Sequence, residues 1–379
     1  MKNRFLTILW RTFLAVLTIL FLLIVEIFGA VSVISLGPSE TAKSMFVNTV
    51  MSTSAAKFLA HIYFSDEEIA RLTSAGEEEV VEAAYSPSSL DMVNIASAEN
   101  SVSDDSVSKD GASGEVASGD AGDEGTVIER EQVSSVITAD MDPAAINSDD
   151  DGDGIEYVKI VEDSFNGDLL IVYDPSRVEF YSIKNFSPEG YGKTITAIME
   201  ETGAVAAINA GGFYDPEGHG HGGMPLGPVI KNGQLISNFQ SDWYTIIGMT
   251  ADHKLMAGNM SGSEAISNGM IEGITFGPTL VSGGKAAEFE STRGGLNPRS
   301  VIGQRADGAI LLLTINGRQP GSLGATYKDT AALMLKYGAV TAANLDGGSS
   351  SRLFYKGEQL NKSSSLLGMR PVPNAIIVK

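Results

Sequence analysis

The stretch GAVAAINAGG at residues 203–212 recurs as GAVTAANLDG at residues 338–347, with six of ten positions identical. Each copy begins with a glycine that ends a helical pattern, continues through small apolar residues, and reaches an Asn followed by a Gly-rich turn. We interpret the copies as two helix–strand units whose buried strands end at Asn209 and at Asn344-Leu345-Asp346. Because Ala and Gly are common in this chain, coincidental likeness of two ordinary helix–strand junctions is the alternative.

Helix and strand signals surround both copies. One helix is predicted over about Lys193 to Thr202, and a second is capped by Thr326 with Asp329 and ends at Gly338. Short β runs follow the strand pattern, and their bounds are Leu169–Tyr173, Ala309–Ile315 and Asn374–Val378. The sequence therefore predicts an α+β fold, with a mixed β-sheet core and flanking helices in a C-terminal domain over residues 155–379.

The strongest single motif is NLDGGSSS at residues 344–351. An acid at a strand end, followed by glycines and hydroxyls, suits a site that holds a carboxylate and several hydrogen-bond donors around a polar ligand. A serine-rich turn with a capping Asp is the structural alternative. The residues predicted to contact a ligand at the two strand ends are Asn209, Gly211, Gly212, Asn344, Gly347, Gly348, Ser349 and Ser350, with Asp346 as the acid.

Two arginines follow or precede predicted strands. Arg299 lies in NPRSVIG at residues 297–303, and Arg318 ends TINGR at residues 314–318. Guanidinium groups donate two parallel hydrogen bonds to phosphate or carboxylate, so the pair indicates an anionic ligand. His219 and His221 lie in a Gly-rich run without a clear third metal ligand, which favours substrate contact or a plain loop over a metal site.

The N-terminus has the pattern of a membrane anchor. Lys2, Arg4 and Arg11 precede an apolar run from Thr12 to Leu36 that only Glu26 interrupts. This length suffices to span a bilayer, and the basic flank predicts a cytoplasmic N-terminus with all later residues outside the cell. A cleaved signal peptide is the alternative, with a small-residue site at residues 29–30. We favour the retained anchor because apolar sequence continues beyond that site.

Composition divides the chain further. Residues 1–36 form the predicted cytoplasmic stub and anchor, residues 37–72 a helical stalk, and residues 73–154 a disordered linker. From Thr73 to Asp153 there are 21 acidic residues against two basic ones, which accounts for about −19 of the formal net charge of −21. No basic stripe suits nucleic acid as a partner. The chain has no cysteine, which excludes disulfides and thiolate chemistry.

The linker ends in an acidic run that resembles part of a calcium loop. Asp149, Asp151 and Asp153 have the spacing of the first three EF-hand ligands, but the position of the closing Glu is occupied by Ile160. An acidic turn before the first strand is therefore favoured, and a loosely held Ca²⁺ ion stays open as the only cofactor suggested.

Across residues 155–379 the chain resembles the phosphodiester glycosidase family, which includes the lysosomal uncovering enzyme. The resemblance rests on four motifs in matching order: INAGGF at 208–213, PRS at 298–300, NGR at 316–318 and NLDGGSS at 344–350. It implies hydrolysis of a sugar 1-phosphodiester, of the N-acetylglucosamine 1-phosphate type, in an envelope glycan or exopolysaccharide. The pocket that it implies is lined by Asn209, Arg299, Thr314, Arg318, Asp346 and the 347–350 turn.

This sequence departs from the family pattern at two positions. Ser300 replaces the usual Thr, which keeps the hydroxyl, and Asn316 replaces the usual Asp, which removes a carboxylate. In hydrolysis of a sugar phosphodiester the leaving group is already acidic, so charge stabilisation by Arg299 and Arg318 is expected to matter most. Asp346 is the expected catalytic carboxylate, as nucleophile, as base or as cation ligand. The rival function is a non-catalytic module that binds anionic glycans or assembles envelope polysaccharide.

Overall fold

The computed structural model describes residues 2–53, 56–74, 90, 92–93, 149, 151–218, 220–239, 245–365 and 368–379. Most of the predicted linker and His219 lie outside the described residues. Where the linker is described, it contacts the folded half: Val93 is 3 % exposed, and Leu90 packs against the core of the third sheet.

Four helices form the N-terminal part of the described chain. They are α1 (Lys2–Leu36), α2 (Glu40–Met51), α3 (Lys57–Tyr63) and α4 (Asp66–Ser74). Within the described residues, α1 contains one span long and apolar enough to cross a membrane, Leu9–Leu36. Helices α2 to α4, called here the juxtamembrane helices, enclose a small core of their own that includes Val47, Phe64 and Leu72.

Three antiparallel sheets and three helices form the C-terminal part. Their orders are β1-β2-β13-β12-β14-β10-β11, β16-β15-β4-β17-β3 and β6-β5-β9-β7-β8. The strands are β1 (Ile155–Val161), β2 (Asn166–Val172), β3 (Val178–Ser182), β4 (Ala206–Asn209), β5 (Gly227–Lys231), β6 (Gln234–Phe239), β7 (Thr245–Thr250), β8 (Leu255–Asn259), β9 (Met270–Thr275), β10 (Thr279–Ser282), β11 (Lys285–Ala286), β12 (Arg299–Arg305), β13 (Ile310–Ile315), β14 (Ala339–Leu345), β15 (Leu353–Tyr355), β16 (Glu358–Gln359) and β17 (Asn374–Val378). The helices are α5 (Ile195–Thr202), α6 (Gly262–Ser267) and α7 (Tyr327–Lys336).

The predicted α+β class is confirmed, and its local signals are confirmed with it, but all strand pairs among the described residues are antiparallel instead of mixed. Thr194 caps α5, and Gly203 ends it with φ +69°. Thr326 and Asp329 form a capping box at the start of α7, and Gly338 follows the helix with φ +81°. A glycine adopts these left-handed angles without the steric cost that a Cβ atom imposes.

The main core lies between the first sheet and the second. Leu312, Ala343 and Leu345 of the first sheet contact this core from one side, and Ile208 and Ile376 of the second sheet contact it from the other. Helix α7 covers the opposite face of the first sheet, and α5 covers the opposite face of the second. The layers are therefore α7, first sheet, second sheet and α5, with the third sheet completing the main core.

The two repeated units meet inside this sandwich. Strand β4, from the first copy, belongs to the second sheet, and β14, from the second copy, belongs to the first sheet. Their ends touch, because the Asp346 amide donates to the Ala210 carbonyl at 2.8 Å. The repeat thus places one Asn-containing turn from each sheet at the same end of the core.

Replacing Leu312 by Ala tests this core. Leu312 is fully buried, so the substitution removes apolar contacts and leaves a cavity. We expect the free energy of unfolding to fall by about 2–5 kcal/mol in denaturant titrations. Val161→Ala, at a side chain 76 % exposed on the edge strand β1, is the matched control and should change stability by less than about 0.5 kcal/mol. Equal losses in both variants would contradict the layer assignment.

Candidate active site

The ends of β12 and β14 bring two of the predicted catalytic residues together. Ser300 pairs with Leu345, so Arg299 and Asp346 lie next to each other at the same end of neighbouring strands. Arg318 follows β13, the other neighbour of β12, and has a positive φ of 57°. The backbones of all three residues therefore converge at one end of the first sheet, although their side chains point to different surroundings.

Asp346 is half-buried at the start of the Gly347–Ser350 turn. The Ser350 hydroxyl and the Gly347 amide lie beside its carboxylate and favour the charged form. Burial outweighs these interactions and raises the pKa of Asp346 to about 6 from its ordinary value of 3.8. A carboxyl group with this pKa exchanges protons near neutral pH, as acid–base catalysis and activated nucleophiles require.

An ion pair lies within electrostatic range of this carboxyl. Arg370 Nη2 is 2.7 Å from Asp215 Oδ1, and the same oxygen accepts a hydrogen bond from the Gly220 amide at 2.6 Å. Asp215 raises the pKa of Asp346, whereas Arg370 lowers it. We call Asp215, Asp346, Ser350 and Arg370 the Asp346 cluster. Arg370 also lies over the ring of Phe213, 5.0 Å from its centroid, which fixes the plane of the guanidinium group.

Arg318 lies on the other side of the Gly347-Gly348 turn. Its guanidinium donates to Asn297 Oδ1 from Nη2 at 2.7 Å and from Nε at 3.2 Å. Burial, followed by the charge of Arg299, lowers the pKa of Arg318 to about 10. A side chain at Gly348 would meet Arg318 Nη1 at 3.4 Å, so the glycine lets the backbone turn lie directly against the guanidinium.

Arg299 points away from the cluster into the protein. It donates to the carbonyls of Ala325, Gly294 and Gly295 at 2.7–2.9 Å, and it stacks on Tyr327 with 4.3 Å to the ring centroid. The residue is only 5 % exposed, and burial lowers its pKa. In this geometry Arg299 holds the 294–297 loop in place, and that loop in turn presents Asn297 to Arg318.

Asn209 is fully buried where the two sheets meet. Its Nδ2 atom donates to the Asp346 carbonyl at 2.5 Å. Its Oδ1 atom accepts from the Ser300 hydroxyl at 2.8 Å and from the Arg352 amide at 3.0 Å. One amide group therefore connects four strand ends and fixes the position of the Asp346 backbone. The geometry places Asn209 behind the site rather than on its surface.

Four other predicted ligand residues also belong to the framework. The Gly211 amide donates to Asn374 Oδ1 at 2.7 Å, and the Gly212 amide donates to the Thr275 carbonyl at 3.1 Å. Asn344 is buried and donates to the Gly277 carbonyl at 3.0 Å. Thr314 is buried inside β13.

The turn at residues 347–350 is the predicted ligand loop that stays partly accessible. Gly347, Gly348 and Ser349 are half-buried, and the Ser350 hydroxyl lies beside the Asp346 carboxylate. Its shape depends on two buried residues that the motifs did not indicate. Arg352 donates to the Ser349 and Ser351 carbonyls at 3.0 and 2.8 Å, and Asn361 donates to the Ser351 carbonyl at 2.9 Å.

The acidic run before β1 lies apart from these motifs in the sequence. The carboxylate oxygens of Asp149, Asp151 and Asp153 lie within 4.8 Å of one another, a spacing that suits a metal ion. Lys356 forms ion pairs with both Asp151 and Asp153 and supplies positive charge there. Ile160, at the position of the missing EF-hand Glu, is 2 % exposed and packs in the core. No calcium site is established.

Together these contacts give a carboxyl poised near neutral pH with cations on two sides. Arg370 lies by the Asp346 cluster and Arg318 by the Gly347-Gly348 turn, and both guanidinium groups are partly or largely withdrawn from water. Cations in such surroundings bind anionic groups more strongly than cations in water do. The arrangement can hold a phosphate group and supply a carboxylate to the carbon atom of the substituent that this phosphate carries.

Comparison with known proteins agrees with the sequence motifs. Residues 202–379 match the family model described as phosphodiester glycosidase. The resemblance predicted above is therefore confirmed for this part of the chain.

Two curated proteins are similar to about half of this chain. The SPbeta prophage-derived uncharacterized protein YomE of Bacillus subtilis is 31 % identical over 182 residues, which cover 45 % of this chain and 27 % of the relative. The N-acetylglucosamine-1-phosphodiester alpha-N-acetylglucosaminidase of Bos taurus is 28 % identical over 213 residues, which cover 50 % of this chain and 39 % of the relative. The matches thus span well under half the length of either relative.

Among solved structures, the catalytic domain of the zebrafish N-acetylglucosamine-1-phosphodiester alpha-N-acetylglucosaminidase is similar, with a TM-score of 0.48 and 20 % sequence identity. The likeness covers 59 % of this chain and 81 % of the zebrafish chain.

Asp346→Asn tests the unusual state of the carboxyl group. The pKa of about 6 in the folded protein is above the ordinary 3.8, so folding favours the protonated form. The associated stability is complete below pH 3.8 and is lost as the pH rises through about 6. Asn cannot ionise, so we expect the variant to match the parent near pH 4 and to exceed it at pH 8 by about 1–3 kcal/mol. Denaturant unfolding at the two pH values measures this difference, and equal stability at pH 8 would contradict it.

Proposed function

Starting from the match of residues 202–379 to the phosphodiester glycosidases, we propose that this chain is a membrane-anchored extracytoplasmic hydrolase. Its substrate is a sugar 1-phosphodiester of the N-acetylglucosamine 1-phosphate type, in a glycan of the cell envelope or in an exopolysaccharide. The observation that supports this most is the Asp346 cluster, where a carboxyl of pKa about 6 lies within electrostatic range of Arg370 and Asp215.

In this proposal Arg370 and Arg318 bind the phosphate. Cleavage of the bond between the anomeric carbon and the phosphate oxygen leaves a phosphate monoester, which needs little protonation. Arg370 and Arg318 stabilise the negative charge that develops on it. Arg299 acts through the 294–297 loop, whose Asn297 orients Arg318. This assigns Arg299 a positioning role instead of direct contact with substrate.

Asp346 acts in its ionised form. It either attacks the anomeric carbon or removes a proton from the attacking water, and both roles need the charged carboxylate. Asp215 is the second carboxylate, which keeps Arg370 in place and raises the pKa of Asp346. Asn209 and the buried glycines hold the strand ends on which these groups lie.

The anchor is the apolar helix α1. The Tyr63 ring of α3 packs on Phe28, 5.7 Å between centroids, and its hydroxyl bonds to Ser32 at 2.9 Å. Cleavage after Ala30 would remove Phe28 from this contact, which favours a retained anchor over a signal peptide. The basic residues before Thr12 support an orientation with the N-terminus in the cytoplasm and the C-terminal domain outside the cell.

Asp346→Asn tests catalysis directly. With the full chain in detergent and an aryl or UDP-linked N-acetylglucosamine phosphodiester as substrate, we expect turnover to fall by at least about 10³-fold while the circular dichroism stays unchanged. Near-normal turnover would remove Asp346 from the mechanism. If the parent retains anionic glycan saturably but turns over no substrate in this screen, a glycan-binding module replaces the enzyme proposal.

Two variants shift the pH dependence in opposite directions. Activity of the parent should rise with pH through about 6 as Asp346 ionises. Arg370 lowers the pKa of Asp346, so Arg370→Gln should move the rise in activity to higher pH. Asp215 raises the pKa of Asp346, so Asp215→Asn should move the rise in activity to lower pH. Profiles of kcat/KM against pH measure both shifts. Displacement in the same direction would show that a different group controls the rise in activity.

A further inference from the structure

Helix α3 has an apolar outer face that the described residues leave uncovered. Phe58 is 60 % exposed and Ile62, one turn later, is 49 % exposed. Lys57 and His61 are exposed beside them, while Ala60 is buried against the other juxtamembrane helices. We call Lys57, Phe58, His61 and Ile62 the outer face of α3. Large apolar residues flanked by polar or basic ones are typical of helices that lie at a lipid–water boundary.

This helix packs beside the last turns of the apolar span. Tyr63 contacts Phe28 and Ser32 of α1, and α1 continues for another turn to Leu36. Val33 and Leu36, beyond the level of that contact, are 74 % and 76 % exposed. Exposed apolar side chains of α1 therefore lie on both the N-terminal and the C-terminal side of the point where α3 packs against α1.

The length of the span places this contact at the membrane surface. The 28 residues of Leu9–Leu36 give a helix about 42 Å long at ~1.5 Å per residue, whereas the hydrocarbon core is ~30 Å thick. About eight residues are surplus, and the contact with Tyr63 lies within the last nine residues of the span. The outer face of α3 is thus continuous with the end of the membrane-spanning surface.

Helix α2 connects this membrane end to the candidate active site. The Leu296 amide donates to Thr49 Oγ1 at 3.0 Å, and Asn297 Nδ2 donates to Ser52 Oγ at 2.7 Å. Arg318 Nη2 also donates to the Ser52 carbonyl at 3.3 Å. The 12 residues of α2 measure about 18 Å, which limits the distance from its membrane end to the loop that orients Arg318.

We propose that the outer face of α3 lies in the lipid interface and that it holds the active site at a fixed height over the bilayer. The substrate is then a sugar 1-phosphodiester whose glycan or alcohol is itself anchored in the same membrane by a hydrocarbon chain. The lipid contact stands on the packing alone, and the substrate class rests on the proposed function.

Cysteine labelling tests the lipid contact. The chain has no cysteine, so Ile62→Cys gives a single labelling site in the full protein. After reconstitution in phosphatidylcholine–phosphatidylglycerol vesicles, an environment-sensitive fluorophore at this site should show blue-shifted emission and be quenched by nitroxide-labelled lipids. Ile236→Cys is the matched control, since Ile236 is a 42 % exposed isoleucine on β6 of the third sheet. Water-like emission at residue 62, or equal quenching at both sites, would overturn the contact.

A comparison of soluble and membrane-anchored substrates tests the second part of the proposal, the substrate class. The same vesicles receive N-acetylglucosamine 1-phosphodiesters of a short alcohol and of a long-chain alcohol, the latter incorporated in the bilayer. We expect kcat/KM to be at least about tenfold higher for the long-chain substrate, because confinement to one surface raises its effective concentration. Ile62→Glu should reduce this preference and leave short-chain turnover unchanged, and Ile236→Glu should change neither.

The outcomes separate the two proposals. Equal kcat/KM for both substrates would overturn the membrane-anchored substrate while the hydrolase proposal stands. Failure to hydrolyse either substrate would overturn the hydrolase proposal together with the substrate class, and the fluorescence measurement would still decide the lipid contact.

Discussion

The candidate site depends on one buried amide, that of Asn209. Both of its heteroatoms are hydrogen-bonded: Nδ2 to the Asp346 carbonyl, and Oδ1 to the Ser300 hydroxyl and the Arg352 amide. These partners belong to both sheets of the sandwich. A buried polar group that is fully satisfied rigidifies its surroundings, whereas a partly satisfied one is costly. The position of the acid is therefore determined by the packing of the two sheets and not by the flexible turn that follows it.

This rigidity allows the protein to keep a carboxyl group in unfavourable surroundings. Burial raises the free energy of the charged Asp346, while Ser350, the Gly347 amide and Arg370 offset part of the effect. At Arg318 no such compensation is found: burial and the neighbouring Arg299 both lower the pKa and so disfavour the charged form. The like charges of Arg299 and Arg318 persist close together for two reasons. Backbone carbonyls surround Arg299, and the Asn297 side chain accepts a hydrogen bond from Arg318. Such strained electrostatics concentrate where a protein binds or converts a charged ligand.

Much of the fold was predictable because its signals are local. The cap at Thr326, the glycine stops and strand β17 follow from neighbouring residues alone. Arg370 was missed because no strand or glycine motif adjoins it; its contact with Asp215 joins residues 155 positions apart. The burial of Arg299 was equally hidden, since it depends on carbonyls of the 294–295 turn and on Tyr327. Sequence therefore indicated which strand ends meet, but the direction of each side chain required the tertiary packing.

The contact between α2 and the domain also sets an order of assembly during synthesis. Ser44 bonds to Thr292 across 248 positions of sequence, so α2 leaves the ribosome long before its partner loop exists. At about 5–20 residues per second the interval is on the order of 10–50 s. Throughout that time the juxtamembrane helices have only their own small core, around Val47 and Phe64, on which to pack. The segment that contains α2 is thus synthesised well before the loop that it contacts, and the C-terminal domain packs onto it last.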